Sequence, residues 1–386
     1  MKTIGVVTVA RSDYGLYRPL LQRIQRRRDL TLALYVGGAH LSPEFGHTIK
    51  DIEGDGFSIV ERVEMTLSSD TPEGISKSMG LGIIGFAQAF ARSRPDLLVV
   101  LGDRFDMHAA ALAALPFNIP VAHIHGGELT EGVIDDALRH SMTKLSHLHF
   151  VSTEEHGRRV KQMGEEPWRI VVSGAPGLDN LARVRPRRRV ALEKFLKLDF
   201  RVRPLLVTFH PVTLFYKKAS SQVLELLTAL SRCQRPIVFT SPSADTAGQE
   251  VLKALRGFVE KCPRARLIPH LGTAAYFGMM ANAAAMVGNS SSGILEAASF
   301  GLPVVNVGSR QAGRFQPANV IQVDCDRHSI AQGIRTALSS SFRKTLRGLV
   351  NPYGDGHAAG RILDVLSSVP LNERLLRKKF TDVRPL

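Results

Sequence analysis

LLVVLGDRFDMHAAALAALPFNIPVAHIHGGELTEGVIDDALRHSMTKLSHLHFVST, residues 97–153, decides the fold by where its apolar runs stop. The run 97–101 ends at Gly102-Asp103-Arg104, and the run 119–122 ends at His123-Ile124-His125-Gly126-Gly127-Glu128. Short unbroken apolar runs of this kind read as strands buried on both faces of a parallel sheet. In open α/β sheets, ligands bind at the carboxyl ends of such strands. One acid at such a place reads as the cap of the helix that follows. Asp103 and Glu128 close two successive strands in the company of imidazoles and glycines, and that reads as a site.

The same alternation extends outward in both directions. Strands are expected at 4–9, 32–36, 58–63, 97–101, 119–122 and 149–151, with helical patterns between them, among others at 16–27, 74–91 and 135–145. The turn formers of Gly174-Ala175-Pro176-Gly177 and the basic run RVRPRRR at 183–189 mark an inter-domain passage around 175–200. A second alternating series follows, with strands expected at 205–209, 237–240, 266–268, 285–287, 304–306 and 320–323 and a last helix at 360–366. The expected organisation is α/β: two Rossmann-like domains, 1–175 and 176–360, facing a shared cleft, with a helix and tail at 361–386 that cross back to the first domain.

Bulk properties narrow the class. A chain of 386 residues has room for two ordinary domains, and 44% hydrophobic content belongs to a soluble globular protein. Cys233, Cys262 and Cys325 form no metal-binding or redox spacing, which fits a reducing compartment. The N-terminal apolar run is interrupted by Arg11 and Asp13, too early for a signal-peptide core. No stretch approaches the roughly 18 apolar residues of a membrane span, so the expected location is cytoplasmic. The net charge of +15 is gathered in clusters at 26–28, 185–189 and 377–379, which read as solvated faces. With no reader motif and no interleaved aromatics, neither nucleic acid nor membrane is an expected partner.

Three further segments carry chemistry. Arg11-Ser12-Asp13-Tyr14-Gly15 follows the first strand and opens a helix, where free N–H groups and a guanidinium offer an anion site; a plain N-cap by Ser12 or Asp13 is the competing reading. It is no GxGxxG fingerprint, which disfavours a dinucleotide cofactor. Gly288-Asn289-Ser290-Ser291-Ser292-Gly293-Ile294-Leu295-Glu296 places hydroxyls and backbone N–H groups where a phosphate could be surrounded, and Glu296 where it could accept ribose hydroxyls. Arg310 adds a guanidinium downstream. His210, at the end of the 205–209 run, is a candidate phosphate contact or leaving-group acid. Against such an anion site, Asp103, Glu128, Asp135 and Asp136 suit proton abstraction and return at a sugar carbon.

Taken together, ARSDYG, LGDRFD, HIHGGE, IDDALRH, TKLSHLHF, FHP, SADT, GNSSSGILE, GSRQAGR and NPYGDG run in order from residue 10 to the 350s. In this the sequence resembles the hydrolysing UDP-N-acetylglucosamine 2-epimerases of sialic-acid-type biosynthesis. The resemblance implies a GT-B-like pair of domains with the active site in the cleft between them. It also implies no redox cofactor, no required metal and a homo-oligomer, dimer or tetramer. The implied reaction removes the C2 proton, expels UDP in an anti elimination to a 2-acetamidoglucal, then adds water at C1 while C2 is reprotonated with inversion. From UDP-N-acetylglucosamine the products are UDP and N-acetylmannosamine. The alternative substrate is a UDP-2,4-diacetamido-2,4,6-trideoxy-glucose of legionaminic-acid-type pathways; a GT-B glycosyltransferase is the reading from a different class. Carried over by position, Asp103, Glu128, Asp135 and His210 fall in the acid, base and leaving-group region. Arg11, Arg104, His210, Ser290, Ser291, Glu296 and Arg310 fall in the UDP region. Some relatives, the animal enzyme included, read HIEGGE where this chain reads HIHGGE, so the base is Glu128, His125 or Asp135.

Overall fold

The computed structural model describes residues 1–43, 47–67, 71–130, 134–211, 218–242, 248–269 and 271–382. The SADT piece at 243–246 lies outside them. The chain divides into two compact units, Met1–Asn180 with Tyr353–Leu386, and Leu181–Pro352.

The first unit is built on seven parallel strands, β1 (Lys2–Thr8), β2 (Leu30–Gly37), β3 (Ile59–Val63), β4 (Leu97–Leu101), β5 (Val121–Ile124), β6 (Leu148–Val151) and β7 (Ile170–Val172). Their order across the sheet is β3-β2-β1-β4-β5-β6-β7. Every residue of β4 and β5 is buried, as continuous apolar runs in a doubly covered sheet require. The expected strand at 119–122 lies two residues later. Pro120 has no N–H to give to the ladder, so its carbonyl receives Leu98 N and pairing runs from Val121 to Ile124. His123 is therefore a strand residue, and the polar turn begins at His125. β7 was not legible: three residues, none fully buried, at a sheet edge. The helix expected at 16–27 spans Arg11–Gln25 with Pro19 inside it. Proline there forfeits the bond to the carbonyl of Gly15, and the rest of the buried stripe, Tyr14, Tyr17, Leu20, Leu21 and Ile24, carries the helix through.

The helix Ala358–Ser368 packs on Arg11–Gln25 and buries Ile362, Leu363 and Leu366 in the first unit's core. Each such side chain contributes roughly 1.5–3 kcal/mol. Asp179 accepts from both Ala358 N and Ala359 N at 2.8 Å, satisfying two free donors of that helix. Ala175 N donates to Tyr353 O at 2.7 Å. These bonds explain why the units divide at 180/181 and 352/353, where the sequence suggested 175/176 and 360/361.

The second unit holds six parallel strands, β8 (Leu205–Thr208), β9 (Ile237–Thr240), β10 (Ala265–Ile268), β11 (Ala285–Gly288), β12 (Val304–Val307) and β13 (Val320–Val323), in the order β10-β9-β8-β11-β12-β13. Leu205, Val207 and Phe209 enter the core on one face and Leu206 that on the other, the alternation a strand imposes. In each sheet the strand order reverses once, between β1 and β4 in the first and between β8 and β11 in the second. The crevice at such a reversal is where doubly wound folds take ligands. The residues just past those strands are Val9-Ala10-Arg11 and Gly102-Asp103-Arg104 in one unit, and Phe209-His210 and Asn289-Ser290 in the other. Among the described residues no helix is long and apolar enough to cross a membrane.

Candidate functional site

In the first unit a buried guanidinium organises the acids. The amphipathic helix Ile134–Leu145 turns Leu138, Arg139, Met142 and Thr143 inward. Arg139, 4% exposed, donates from Nη2 to Asp103 Oδ2 and to Thr130 Oγ1 at 3.0 Å, and from Nη1 to Glu128 O at 2.9 Å. Asp103 is thus an ion-paired carboxylate. The helix after β4, Phe105–Ala114, has Arg104 at its N-cap with no side-chain cap bond, so the capping role weighed for Asp103 is not the one it plays. Asp136 accepts from Thr130 N at 2.8 Å, while Asp135 beside it is half-buried with no polar partner among the described residues.

Glu128 is no helix cap either. Its Oε1 lies 2.6 Å from His125 Nδ1 and 2.9 Å from Ser152 Oγ, and Ser152 Oγ lies 2.9 Å from the same ring nitrogen. His125 sits at φ +68°, a left-handed conformation costly for a residue with a Cβ. Gly127 follows at φ +76°, where a Cβ would stand 2.4 Å from the carbonyl oxygen of His156. His123 is buried with Nε2 2.7 Å from Gly102 O, and burial lowers its pKa to about 3.

Arg11 and Arg104 lie at the first unit's reversal point. Arg11 is exposed and 3.9 Å from Asp51; Arg104 pairs with buried Asp106 at 3.1 Å. Neither Ser12 nor Asp13 is the N-cap expected from the sequence. Ala10 holds that position, while Asp13 is buried and reaches back to accept from Thr8 Oγ1 and Val9 N, both at 2.8 Å. Burial raises the Asp13 pKa to about 6.

In the second unit the GNSSSGILE segment folds against the end of β8. Gly288 adopts φ +135° with its Cα so close to β8 that a Cβ would stand 1.9 Å from Thr208 O, so only glycine fits. Asn289 then pairs with the backbone of His210 through both amide atoms, accepting from N at 2.7 Å and donating to O at 2.8 Å. Its own carbonyl receives Arg310 Nη1 at 3.2 Å and Gln311 Nε2 at 2.8 Å. His210, Ser290 and Arg310 are therefore brought together around one asparagine. Ser290 caps the short helix Ser291–Leu295, which breaks at Glu296. Glu296 Oε2 is buried without a partner, and burial raises that carboxyl's pKa. The Tyr276 side chain lies beside the hydroxyls of Ser292, Thr208 and Ser290, and burial pushes its pKa up to about 12.

Sequence reasoning missed Arg139, Ser152, Tyr276, Asn289 and Gln311. Two left a signal. Ser152 directly follows the buried run of β6, a third polar strand end, and Arg139 falls in phase with Leu138 and Met142 on the buried face of its helix. Among the described residues no group of three or more His, Cys, Asp or Glu side chains is arranged to hold a metal ion.

Two parallel Rossmann-like sheets, each with polar loops at its point of reversal, define an α/β protein of the GT-B-like class. The chain belongs to the UDP-N-acetylglucosamine 2-epimerase family, whose profile matches residues 22–367. It is 37% identical over 378 residues, 98% of this chain and 99% of the other, to the hydrolyzing UDP-N,N'-diacetylbacillosamine 2-epimerase of Legionella pneumophila. It is 37% identical over 385 residues, 99% of each chain, to the hydrolyzing GDP/UDP-N,N'-diacetylbacillosamine 2-epimerase of Campylobacter jejuni. In fold it resembles the crystal structure of UDP-GlcNAc 2-epimerase from Neisseria meningitidis bound to UDP-GlcNAc, with a TM-score of 0.77 at 17% identity over 95% of this chain and 99% of that one.

Proposed function

We propose that this enzyme is a hydrolysing 2-epimerase of a UDP-2-acetamido sugar, and that UDP-2,4-diacetamido-2,4,6-trideoxy-glucose stands ahead of UDP-N-acetylglucosamine as its substrate. The observation that carries the choice of sugar is the full-length 37% identity to two relatives named for N,N'-diacetylbacillosamine. The reaction takes the C2 proton with a base from the set His125, Glu128 and Asp135. The C–H electron pair becomes the C1=C2 bond while the C1–O pair leaves with UDP; water then adds at C1 and C2 is reprotonated on the opposite face. A proton beside an amide-bearing carbon is weakly acidic, so the step needs a positioned base and a leaving group whose charge is met by fixed donors. Following the resemblance, Ser290, Ser291, Arg310, His210, Arg11 and Arg104 are assigned to UDP. Asp103, fixed by Arg139, completes the proton-transfer set. The resemblance adds a cytoplasmic homo-oligomer to this reading.

Incubation of each UDP-sugar in deuterated water, followed by NMR, is expected to give UDP and the free 2-epimeric sugar carrying deuterium at C2. Product without the label would sink the elimination, and UDP released only when an acceptor sugar is present would move the protein to the glycosyltransferases. A higher kcat/KM on UDP-N-acetylglucosamine would reverse the order of substrates.

Glu296 is assigned to the ribose. A carboxylate oxygen buried without a donor is costly, and two vicinal hydroxyls supply the missing hydrogen bonds. Glu296→Gln is expected to weaken UDP binding about tenfold, ~1.4 kcal/mol, and to erase the preference for UDP over 2'-deoxy-UDP in calorimetric titrations. A variant that keeps that preference removes Glu296 from the ribose.

A further inference from the structure

We propose that His125 is the base that takes the C2 proton, and that Glu128 and Ser152 are positioning residues that act through it; the inference rests on the epimerase reading above. A carboxylate only accepts, so the 2.6 Å contact between Glu128 Oε1 and His125 Nδ1 places the hydrogen on Nδ1 and leaves the lone pair on Nε2. Ser152 donates to the same carboxylate oxygen at 2.9 Å and locks its orientation. Glu128 Oε1 thus receives two donors, and Asp103 is held against buried Arg139. His125 Nε2, by contrast, has no partner among the described residues, and the side chain keeps 13% of its surface accessible.

The backbone argues in the same direction. Left-handed φ at a histidine is strain that persists only where the surroundings over-determine it. Here His125 N donates to Phe150 O at 3.0 Å, Arg159 donates to Gly127 O, and Arg139 donates to Glu128 O, fixing the loop on both sides of the imidazole. The strain turns the ring onto Glu128. A carboxylate on Nδ1–H fixes the tautomer and stabilises the imidazolium formed when Nε2 takes a proton. In the step itself the Nε2 lone pair takes H2, the C2–H pair forms C1=C2, and the C1–O pair departs with UDP. The imidazolium is then held against Glu128.

The charged and titratable groups around the imidazole are Glu128 in its own loop, His123 on β5, Arg139 on the helix Ile134–Leu145, and His156 and Arg159 on the helix Glu154–Gln162. Only Glu128 touches the ring with opposite charge. The test measures kcat, KM and C2 deuteration from pH 5.5 to 9 for wild type, His125→Asn, Glu128→Gln, Ser152→Ala and Asp135→Asn. Asparagine is chosen because it tolerates positive φ. His125→Asn is expected to lower kcat by about 10² to 10⁴ with KM within a few-fold. Glu128→Gln should lower kcat by about 10 to 100-fold with KM within a few-fold, and Ser152→Ala should do the same by less. An unchanged kcat in Glu128→Gln, or a larger loss in Asp135→Asn than in His125→Asn, overturns the assignment. Wild type that releases no UDP from either sugar overturns the epimerase reading and the base with it. Wild-type turnover shared by His125→Asn overturns the base alone.

Discussion

Between pH 7 and pH 5 the first unit is expected to lose stability on the order of 6 kcal/mol, most of what a domain of this size holds. Burial lowers the pKa of all five histidines buried there, and four of them carry this figure: His123, lowered to about 3, and His40, His147 and His156, each lowered to about 4, from an ordinary 6.5. Hydrogen bonding agrees with the neutral state. Val121 N donates to His147 Nδ1 at 3.1 Å, a bond a protonated ring cannot accept. The unfolded chain takes up these protons below pH 6.5 and the folded unit does not, so stability is complete above 6.5 and falls as pH drops toward 4. At pH 5 each ring costs about 2 kcal/mol relative to pH 7. Asp13 opposes them. With its pKa raised to about 6 it binds a proton in the folded state before it would in the unfolded one, returning about 1 kcal/mol over the same interval. All of these groups belong to the first unit. Urea unfolding at pH 7, 6 and 5, with hydrogen exchange read separately on β4–β6 and on β8–β12, should show acid lability in the first set. Equal stability of β4–β6 at pH 7 and pH 5 would refute it.

Those histidines also mark where sequence reading stops. Unbroken apolar runs such as 97–101, 205–207 and 285–287 announce a covered parallel sheet, because nothing else buries both faces of so short a segment. The polar residues after them announce the site for the same reason: a buried strand cannot carry charge until it ends. What the linear pattern hides is pairing. Asp103 and Arg139 lie 36 residues apart, and Asn289 and His210 lie 79 apart. Neither partner shows the other's presence. The resemblance grouped Glu128 with the acids as a possible base, whereas the fold gives it a histidine to hold. Ser152 was visible only as a polar strand end, and Tyr276 only as an aromatic in a helix that otherwise reads as core. Edge elements such as β7 escape because at a sheet edge the burial that drives apolar patterning is halved.

The largest effect of a single substitution is expected at Arg169, which sequence inspection passes over in EPWRIVV. Its side chain is fully buried and all five of its N–H groups are used. Nε donates to Glu166 Oε2 at 2.7 Å, Nη1 to the carbonyls of His147 and Leu375 at 3.1 and 2.8 Å, and Nη2 to those of Arg374 and Arg377 at 3.0 and 2.9 Å. Three of these carbonyls close the short helix Glu373–Leu376, whose last turn has no other donors to offer them, so one guanidinium caps the tail and ties it to the strand end before β6. Nearby, Glu165 gathers Lys144 at 2.6 Å, His149 at 2.8 Å and Lys378 at 2.9 Å, which holds the same tail from its other side. Arg169→Met leaves Glu166 and the carbonyls without their shared donor in a dry environment, a loss of about 3–5 kcal/mol. Arg169→Lys is expected to lose nearly as much, because an ammonium has three donors in a compact head where five are needed in a plane. Both variants should unfold at lower urea and expose the chain after residue 370 to limited proteolysis. Their C2 exchange below the unfolding transition should stay close to wild type, since Arg169 touches none of the residues that handle the substrate. A tail that stays protected in Arg169→Met, with an unchanged urea midpoint, would show that apolar packing by Leu375 and the helix Ala358–Ser368 holds it without the guanidinium.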